Sequence, residues 1–214
     1  MVKYFIDSEF VDDGRTIDLI SIGIVAEDGR ELYLQSCEFD PRYASEWVNA
    51  NVITHLAICP HCTQPELSRY ANHIPEMIRS QILSLSGHEI HGQCTFERIT
   101  PEMRTIGAYA DCFWRTRSQI KNEILAFMDI EQYGKPELWG YYSSYDHVAF
   151  CQVFGTMIDL PNGFPMLTYD LRQWLDMQGM KDVCQPDDAP HHALEDARWI
   201  AQTYMRVSQG SSRS

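Results

Sequence analysis

The sequence predicts an α/β domain with a mixed β-sheet flanked by helices, on three observations. The chain opens with three closely spaced runs of β-branched and aromatic residues, at 4–10, 18–27 and 30–39, which is typical of an antiparallel meander. After residue 113, segments with helical spacing alternate with apolar runs, which is typical of helices packed on a sheet. The 214 residues, 44% of them hydrophobic, suffice for one domain with a substantial core.

The first strand carries two acidic residues on one face. Side chains alternate along a strand, so Asp7 and Glu9 face one way and Ile6 faces the other. Two neighbouring carboxylates repel each other, and a divalent cation removes the conflict because hard cations bind carboxylate oxygens. The alternative is that the pair lies at a solvated edge of the sheet.

The following segments supply the remaining elements in order. Strand 18–27 is an almost continuous apolar run, which predicts burial on both faces. Asp28-Gly29 is a hairpin signal before the third strand. The later predictions are helices at 45–52, 117–128, 143–154, 167–177 and 192–207, a strand at 136–142, a loop at 187–190 and a disordered tail at 208–214.

Residues 57–111 interrupt this pattern and predict an insertion within a single domain spanning 1–207. The periodicity there is weak, and cysteines and histidines cluster. We predict a tetrahedral zinc site with Cys59, Cys62 and Cys94 as thiolate ligands and either His88 or His91 as the imidazole ligand. Two alternatives are unpaired thiols and a thiol–disulfide oxidoreductase site at Cys59-Pro60-His61-Cys62.

The charge balance restricts the possible partners. With 17 basic and 30 acidic residues the net charge is −13, which argues against broad affinity for nucleic acid. A nucleic-acid substrate would have to be bound at a strand end, through metal ions and a few local contacts. No leader and no apolar run of membrane-spanning length is evident, so we expect a cytoplasmic protein, not bound to a membrane, whose seven cysteines are thiols or metal ligands.

Asp196 and His191 suggest a second part of the same site. Asp196 lies on the apolar stripe of the last predicted helix and therefore points inward, where it needs a partner. His191 can converge with Asp196 only from the loop before the helix, and Pro190 favours that placement. The alternative for His191 is a solvated loop residue. Asp146, at the start of helix 143–154, is either a third acidic site residue or a helix cap.

Together these residues have the types and order of the DEDDh exonucleases. The motifs are Phe5-Ile6-Asp7-Ser8-Glu9-Phe10, Tyr145-Asp146-His147-Val148-Ala149 and His191-His192-Ala193-Leu194-Glu195-Asp196. Through runs 18–31 and 145–152, residues 2–56 and 113–205 resemble more specifically the RNase AS type of 3′–5′ exoribonuclease.

This resemblance implies an RNase H-like (DnaQ-like exonuclease) fold, a homodimer, and hydrolysis of the 3′ ends of single-stranded RNA, adenylate-rich ends in particular, to nucleoside 5′-monophosphates. It implies two Mg²⁺ or Mn²⁺ ions held by Asp7, Glu9, Asp146 and Asp196, with His191 as general base. Two such ions can activate water and stabilise the leaving oxygen. A proofreading-type DNA exonuclease and a non-catalytic zinc- or nucleic-acid-binding module are the alternatives.

Three aromatic residues near the motifs are candidates for stacking on RNA bases: Phe10, Tyr142 and Tyr145. On an ideal strand Phe10 points away from Glu9, so a bulge or a strand end is needed to bring it to a base. The alternative for each ring is packing in the core.

Overall fold

A computed structural model describes residues 1–56, 113–186 and 191–210. Within these ranges six strands form one sheet in the order β4-β3-β2-β1-β5-β6. The predicted insertion 57–111, with the predicted zinc ligands Cys59, Cys62, His91 and Cys94, and the predicted loop 187–190 lie outside the described residues. The strands are β1 (Val2–Asp12), β2 (Ile17–Ala26), β3 (Glu31–Ser36), β4 (Trp114–Arg115), β5 (Pro136–Gly140) and β6 (Thr168–Asp170).

Strand β1 lies inside the sheet and determines its mixed character. It pairs antiparallel with β2, which pairs antiparallel with β3, so the predicted meander is confirmed. On its other side β1 pairs parallel with β5, and β5 pairs parallel with β6. Asp28-Gly29 forms the turn between β2 and β3, where Gly29 has φ +89° and its N–H donates to the carbonyl of Ala26. The predicted mixed sheet is therefore confirmed.

Helices cover both faces of the sheet. The face bearing Tyr4 and Ile6 packs against the second and fourth helices, and the face bearing Phe5 packs against the fifth and sixth. The apolar side chains of the two faces, Tyr4 and Ile6 on one and Phe5 on the other, alternate along β1, as the strand period requires. The helices are α1 (Glu46–Asn51), α2 (Arg117–Phe127), α3 (Ile130–Tyr133), α4 (Ser144–Phe154), α5 (Leu171–Met177) and α6 (Ala193–Gly210).

Several element boundaries differ from the sequence predictions. The predicted helix 167–177 is instead strand β6 followed by helix α5, because Asp170 caps α5 by accepting a hydrogen bond from the N–H of Gln173 at 3.0 Å. Strand β5 ends at Gly140 rather than at residue 142, since Tyr142 has φ +54° and cannot continue a strand. Helix α6 continues to Gly210, with Val207 buried, so residues 208–210 are not a disordered tail.

The described ranges contain six α-helices. Among them, none combines the length and apolar composition needed to span a bilayer.

Candidate active site

The acidic residues of β1 face helix α6. Asp7 and Glu9 lie on the same face of β1 as Phe5, which shares an apolar cluster with Ala197 and Ile200 of α6. Asp7 lies opposite Gly23, and Glu9 lies opposite Ser21 of β2. The pair therefore lies between the sheet and α6 rather than at a solvated edge of the sheet.

Asp146 is directed back at β1. It lies in the first turn of α4, where Ser143 occupies the capping position, and it is buried. Its Oδ1 accepts a hydrogen bond from the backbone N–H of Ser8 at 2.8 Å and another from the Ser8 hydroxyl at 2.6 Å. These two bonds join the start of α4 to the strand that carries Asp7 and Glu9, so Asp146 makes tertiary contacts beyond those of a helix cap.

Asp196 faces the same space from the first turn of α6. It is buried, and its Oδ1 accepts a hydrogen bond from the side-chain amide of Gln185. Helix α6 can come this close to the sheet because Gly23 has no side chain. A Cβ added to Gly23 would lie 2.3 Å from the carbonyl oxygen of Ala193 and 2.4 Å from the nitrogen of Leu194.

His191 lies in the segment just before α6, as its convergence with Asp196 requires. It is exposed, and its ring meets the ring of Trp47 edge-on, with centroids 4.5 Å apart. One ligand atom from each of Glu9, His191 and Asp196 lies within 4.8 Å of the other two. The neighbouring His192 stacks on Tyr33 instead, with centroids 4.4 Å apart.

The four carboxylates perturb one another strongly. Burial raises the pKa of Asp7 well above its usual range, and Asp146, Glu9 and Asp196 raise it further. Burial together with Asp196 and Asp146 raises the pKa of Glu9 to about 8. Burial also raises the pKa values of Asp146 and Asp196 to about 6. Hydrogen bonds oppose this by lowering the pKa, from Ser8 to Asp146, and from the His192 backbone and the Gln185 amide to Asp196. Without a cation, four ionised carboxylates this close together repel one another, so the fully ionised state of the cluster is unfavourable.

The donor set fits divalent cations. Among the described residues, no Lys or Arg forms an ion pair with any of the four carboxylates. The donors that do contact them are neutral: the backbone N–H and hydroxyl of Ser8, the backbone N–H of His192 and the Gln185 amide. Clustered carboxylate oxygens are the ligands that Mg²⁺ and Mn²⁺ prefer.

Two of the three candidate stacking residues lie side by side. The register of β1 with β2 shifts between Glu9 and Phe10, which is the irregularity that Phe10 needs to change direction. The rings of Phe10 and Tyr145 are 5.7 Å apart, and Tyr145 is half exposed. Tyr142, the third candidate, is 67% exposed, and its ring meets that of Tyr141 edge-on at 4.7 Å.

Four residues near the site were not identified from the sequence: Ser8, Gly23, Trp47 and Gln185. Ser8 and Gly23 lie within the motifs, and a glycine in a buried strand is a recognised sign of close approach by another backbone. Trp47 and Gln185 follow no periodic pattern, since they act through single tertiary contacts.

The chain is similar to known proteins over most of its length. No protein-family model matches it. The chain is similar to two curated 3′–5′ exoribonucleases of Mycobacterium tuberculosis, one from strain CDC 1551 / Oshkosh and one from strain ATCC 25618 / H37Rv. With each, the identity is 35% over 198 residues, which span 92% of this chain and 88% of the relative. The similarity therefore extends well beyond the short acidic motifs.

Proposed function

This chain belongs to the family of 3′–5′ exoribonucleases, and from that premise we propose that it removes nucleotides from the 3′ ends of single-stranded RNA by metal-dependent hydrolysis. The observation that carries the proposal is the convergence of Asp7, Glu9, Asp146 and Asp196, with His191 at the margin. Water adds across the phosphodiester, so the phosphate leaves on a nucleoside 5′-monophosphate and the shortened RNA keeps a 3′ hydroxyl.

The four carboxylates are the proposed ligands for two Mg²⁺ or Mn²⁺ ions. When bound, such ions supply Lewis-acid chemistry, which makes water a stronger nucleophile and stabilises a leaving 3′ oxygen. Two of the proposed ligands are oriented by hydrogen bonds from the chain itself, since Ser8 donates to one oxygen of Asp146 and Gln185 donates to one oxygen of Asp196. Neutral donors orient these groups without cancelling their charge.

His191 is the proposed general base. Partial desolvation of the ring and the neighbouring His55 lower the pKa of His191, so its imidazole is neutral at pH 7 and can accept a proton. The side chain is exposed and is close to both Glu9 and Asp196. A base in this position can take the proton of a water molecule that attacks the terminal phosphodiester.

Phe10 and Tyr145 are the proposed platform for the last bases of the RNA. Their paired rings lie next to Glu9 and Asp146 in the sequence, and stacking of one base on an aromatic ring contributes about 1–3 kcal/mol. Tyr142 offers a third exposed ring. This apolar mode of binding suits a chain with a net charge of −13, which cannot rely on phosphate neutralisation.

Two finer features are part of the proposal: a preference for adenylate-rich ends and a homodimeric assembly. Both rest on the resemblance of runs 18–31 and 145–152 to the RNase AS type. Homopolymer RNAs of A, C and U, with matched DNA oligonucleotides, measure the preference directly. Faster release from DNA than from RNA would favour the proofreading-type alternative.

The decisive test replaces Asp7 with its uncharged isostere. Asp7→Asn should lower the rate of nucleoside monophosphate release by at least about 10³-fold, because a cation ligand is lost. Asp182→Asn, an exposed change of the same chemistry, is the control and should behave as the wild type. Asp7→Asn with wild-type activity, or activity that survives EDTA unchanged, would refute the metal-dependent mechanism.

A further inference from the structure

Gln185 contacts the candidate site from the irregular segment between α5 and α6. Its side chain is half-buried, while its neighbours Cys184 and Pro186 are exposed. The amide donates to Oδ1 of Asp196, which is itself buried. We propose that Gln185 is a positioning residue that holds the Asp196 carboxylate in the orientation that binds a divalent cation; this inference rests on the proposed function.

The segment that presents Gln185 is itself fixed to α5. The buried guanidinium of Arg172 donates to the carbonyl oxygens of Met180 and Val183, and the second of these lies two residues before Gln185. Val183 also packs against the apolar cluster beneath α6. The amide donor therefore has a stable base, and a fixed donor can restrict the rotation of a carboxylate that is attached to a rigid helix.

The choice of an amide has a physical consequence for the cation. A Lys or Arg at this position would orient Asp196 equally well, but its positive charge would oppose a divalent ion in the same space. An amide leaves the carboxylate charge intact. Asp146 is held by the same kind of neutral donor, the Ser8 hydroxyl, so two of the four acidic side chains are oriented in this way. Outer donors of this kind typically change metal affinity by about 10–100-fold when they are removed.

The experiment titrates the full chain with Mn²⁺ alone, without RNA, and follows the heat of binding. Gln185→Met keeps the length of the side chain but removes the donor, and it should weaken Mn²⁺ binding by about 10–100-fold. Gln178→Met is the matched control, because Gln178 is exposed in the same connection and should bind Mn²⁺ as the wild type does. Gln185→Ala is a second variant, in case the methionine disturbs packing, and thermal melting without metal shows that each variant is folded.

The rate of RNA hydrolysis separates this role from others. At saturating Mn²⁺, Gln185→Met should regain a turnover rate within about threefold of the wild type, because the bound ion itself then orients Asp196. Unchanged Mn²⁺ affinity in both Gln185 variants would overturn the inference, and so would a turnover defect that persists at saturation. A wild-type chain that hydrolyses RNA while the variants bind Mn²⁺ normally refutes only the role of Gln185, whereas a wild-type chain that neither binds Mn²⁺ nor hydrolyses RNA refutes the proposed function.

Discussion

Gly23 is the position where the smallest substitution should have the largest effect on the site. It lies opposite Asp7 in the sheet and beneath the first turn of α6, the helix that carries Asp196. In Gly23→Ala the new Cβ would lie 2.3 Å from the Ala193 carbonyl oxygen, whereas ordinary contact begins at 3.4 Å. The obstructing atoms belong to the backbone, so they cannot rotate away. Either α6 or β2 must move by about 1 Å.

The magnitudes follow from this displacement. Overpacking of this kind costs about 1–3 kcal/mol, which for a chain of this size lowers the melting temperature by roughly 2–12 °C. A misplacement of about 1 Å between groups that must act together reduces turnover by about 10²-fold. We expect both effects, measured by thermal melting and by release of nucleoside monophosphate from oligoadenylate at saturating Mn²⁺.

Gly14→Ala provides the control for this prediction. An added Cβ at Gly14 meets no atom within 4 Å, although its φ of +81° makes alanine strained there. It should therefore lose stability while keeping wild-type turnover. Equal turnover in Gly23→Ala and wild type would refute the reasoning, since it would mean that α6 and Asp196 do not depend on close contact with β2.

Three further predictions concern the same site. In EDTA the melting temperature should fall as the pH rises from about 4 to 8. The pKa values of Glu9, Asp146 and Asp196 are about 8, 6 and 6 in the folded state, which is above their values in an unfolded chain. Protonation of these groups therefore favours the folded form, and their deprotonation destabilises it. Mn²⁺ at 100 times its Kd should restore roughly 5–11 °C at pH 8, and Glu9→Gln should flatten the slope; a melting temperature that rises with pH in EDTA would contradict this. Tyr145→Ala should raise the KM for RNA by about 5–160-fold with little change in kcat, and an unchanged KM would remove Tyr145 from the platform. Trp47→Leu should lower kcat by about tenfold or more without changing Mn²⁺ binding, because the contact that orients the His191 ring is lost. An effect on KM alone would mean that Trp47 contacts RNA instead.

The acidic site residues could be selected from the sequence because each of them breaks a local pattern. Asp7 and Glu9 interrupt an apolar strand, and Asp196 interrupts the apolar stripe of a helix. Such interruptions are costly unless the residues share a partner, so their convergence could be anticipated. The meander could be predicted for the complementary reason, since its strands have strong propensities and a clear turn signal.

The supporting residues could not be selected in this way. Nothing in the local sequence distinguishes Ser8 from other strand residues, and its role depends on Asp146, which is 138 positions away. Gln185 lies in a segment without periodicity, and its single hydrogen bond gives no signal in the sequence. Strand β6 has only three residues and depends on pairing with β5, so its local pattern was overridden by tertiary contacts.

The placement of β1 implies that the two halves of the site open at very different rates. At Tyr4 and Phe5 the strand pairs with neighbours on both sides, and Tyr4, Phe5 and Ile6 are almost completely shielded from solvent. Backbone amides in such a segment exchange with deuterium only when the whole domain unfolds, whereas those beside the exposed His191 exchange through small local openings. We therefore expect the His191 imidazole, restrained by its edge-on contact with Trp47, to change position within the lifetime of one folded molecule, while Asp7 and Glu9 keep theirs.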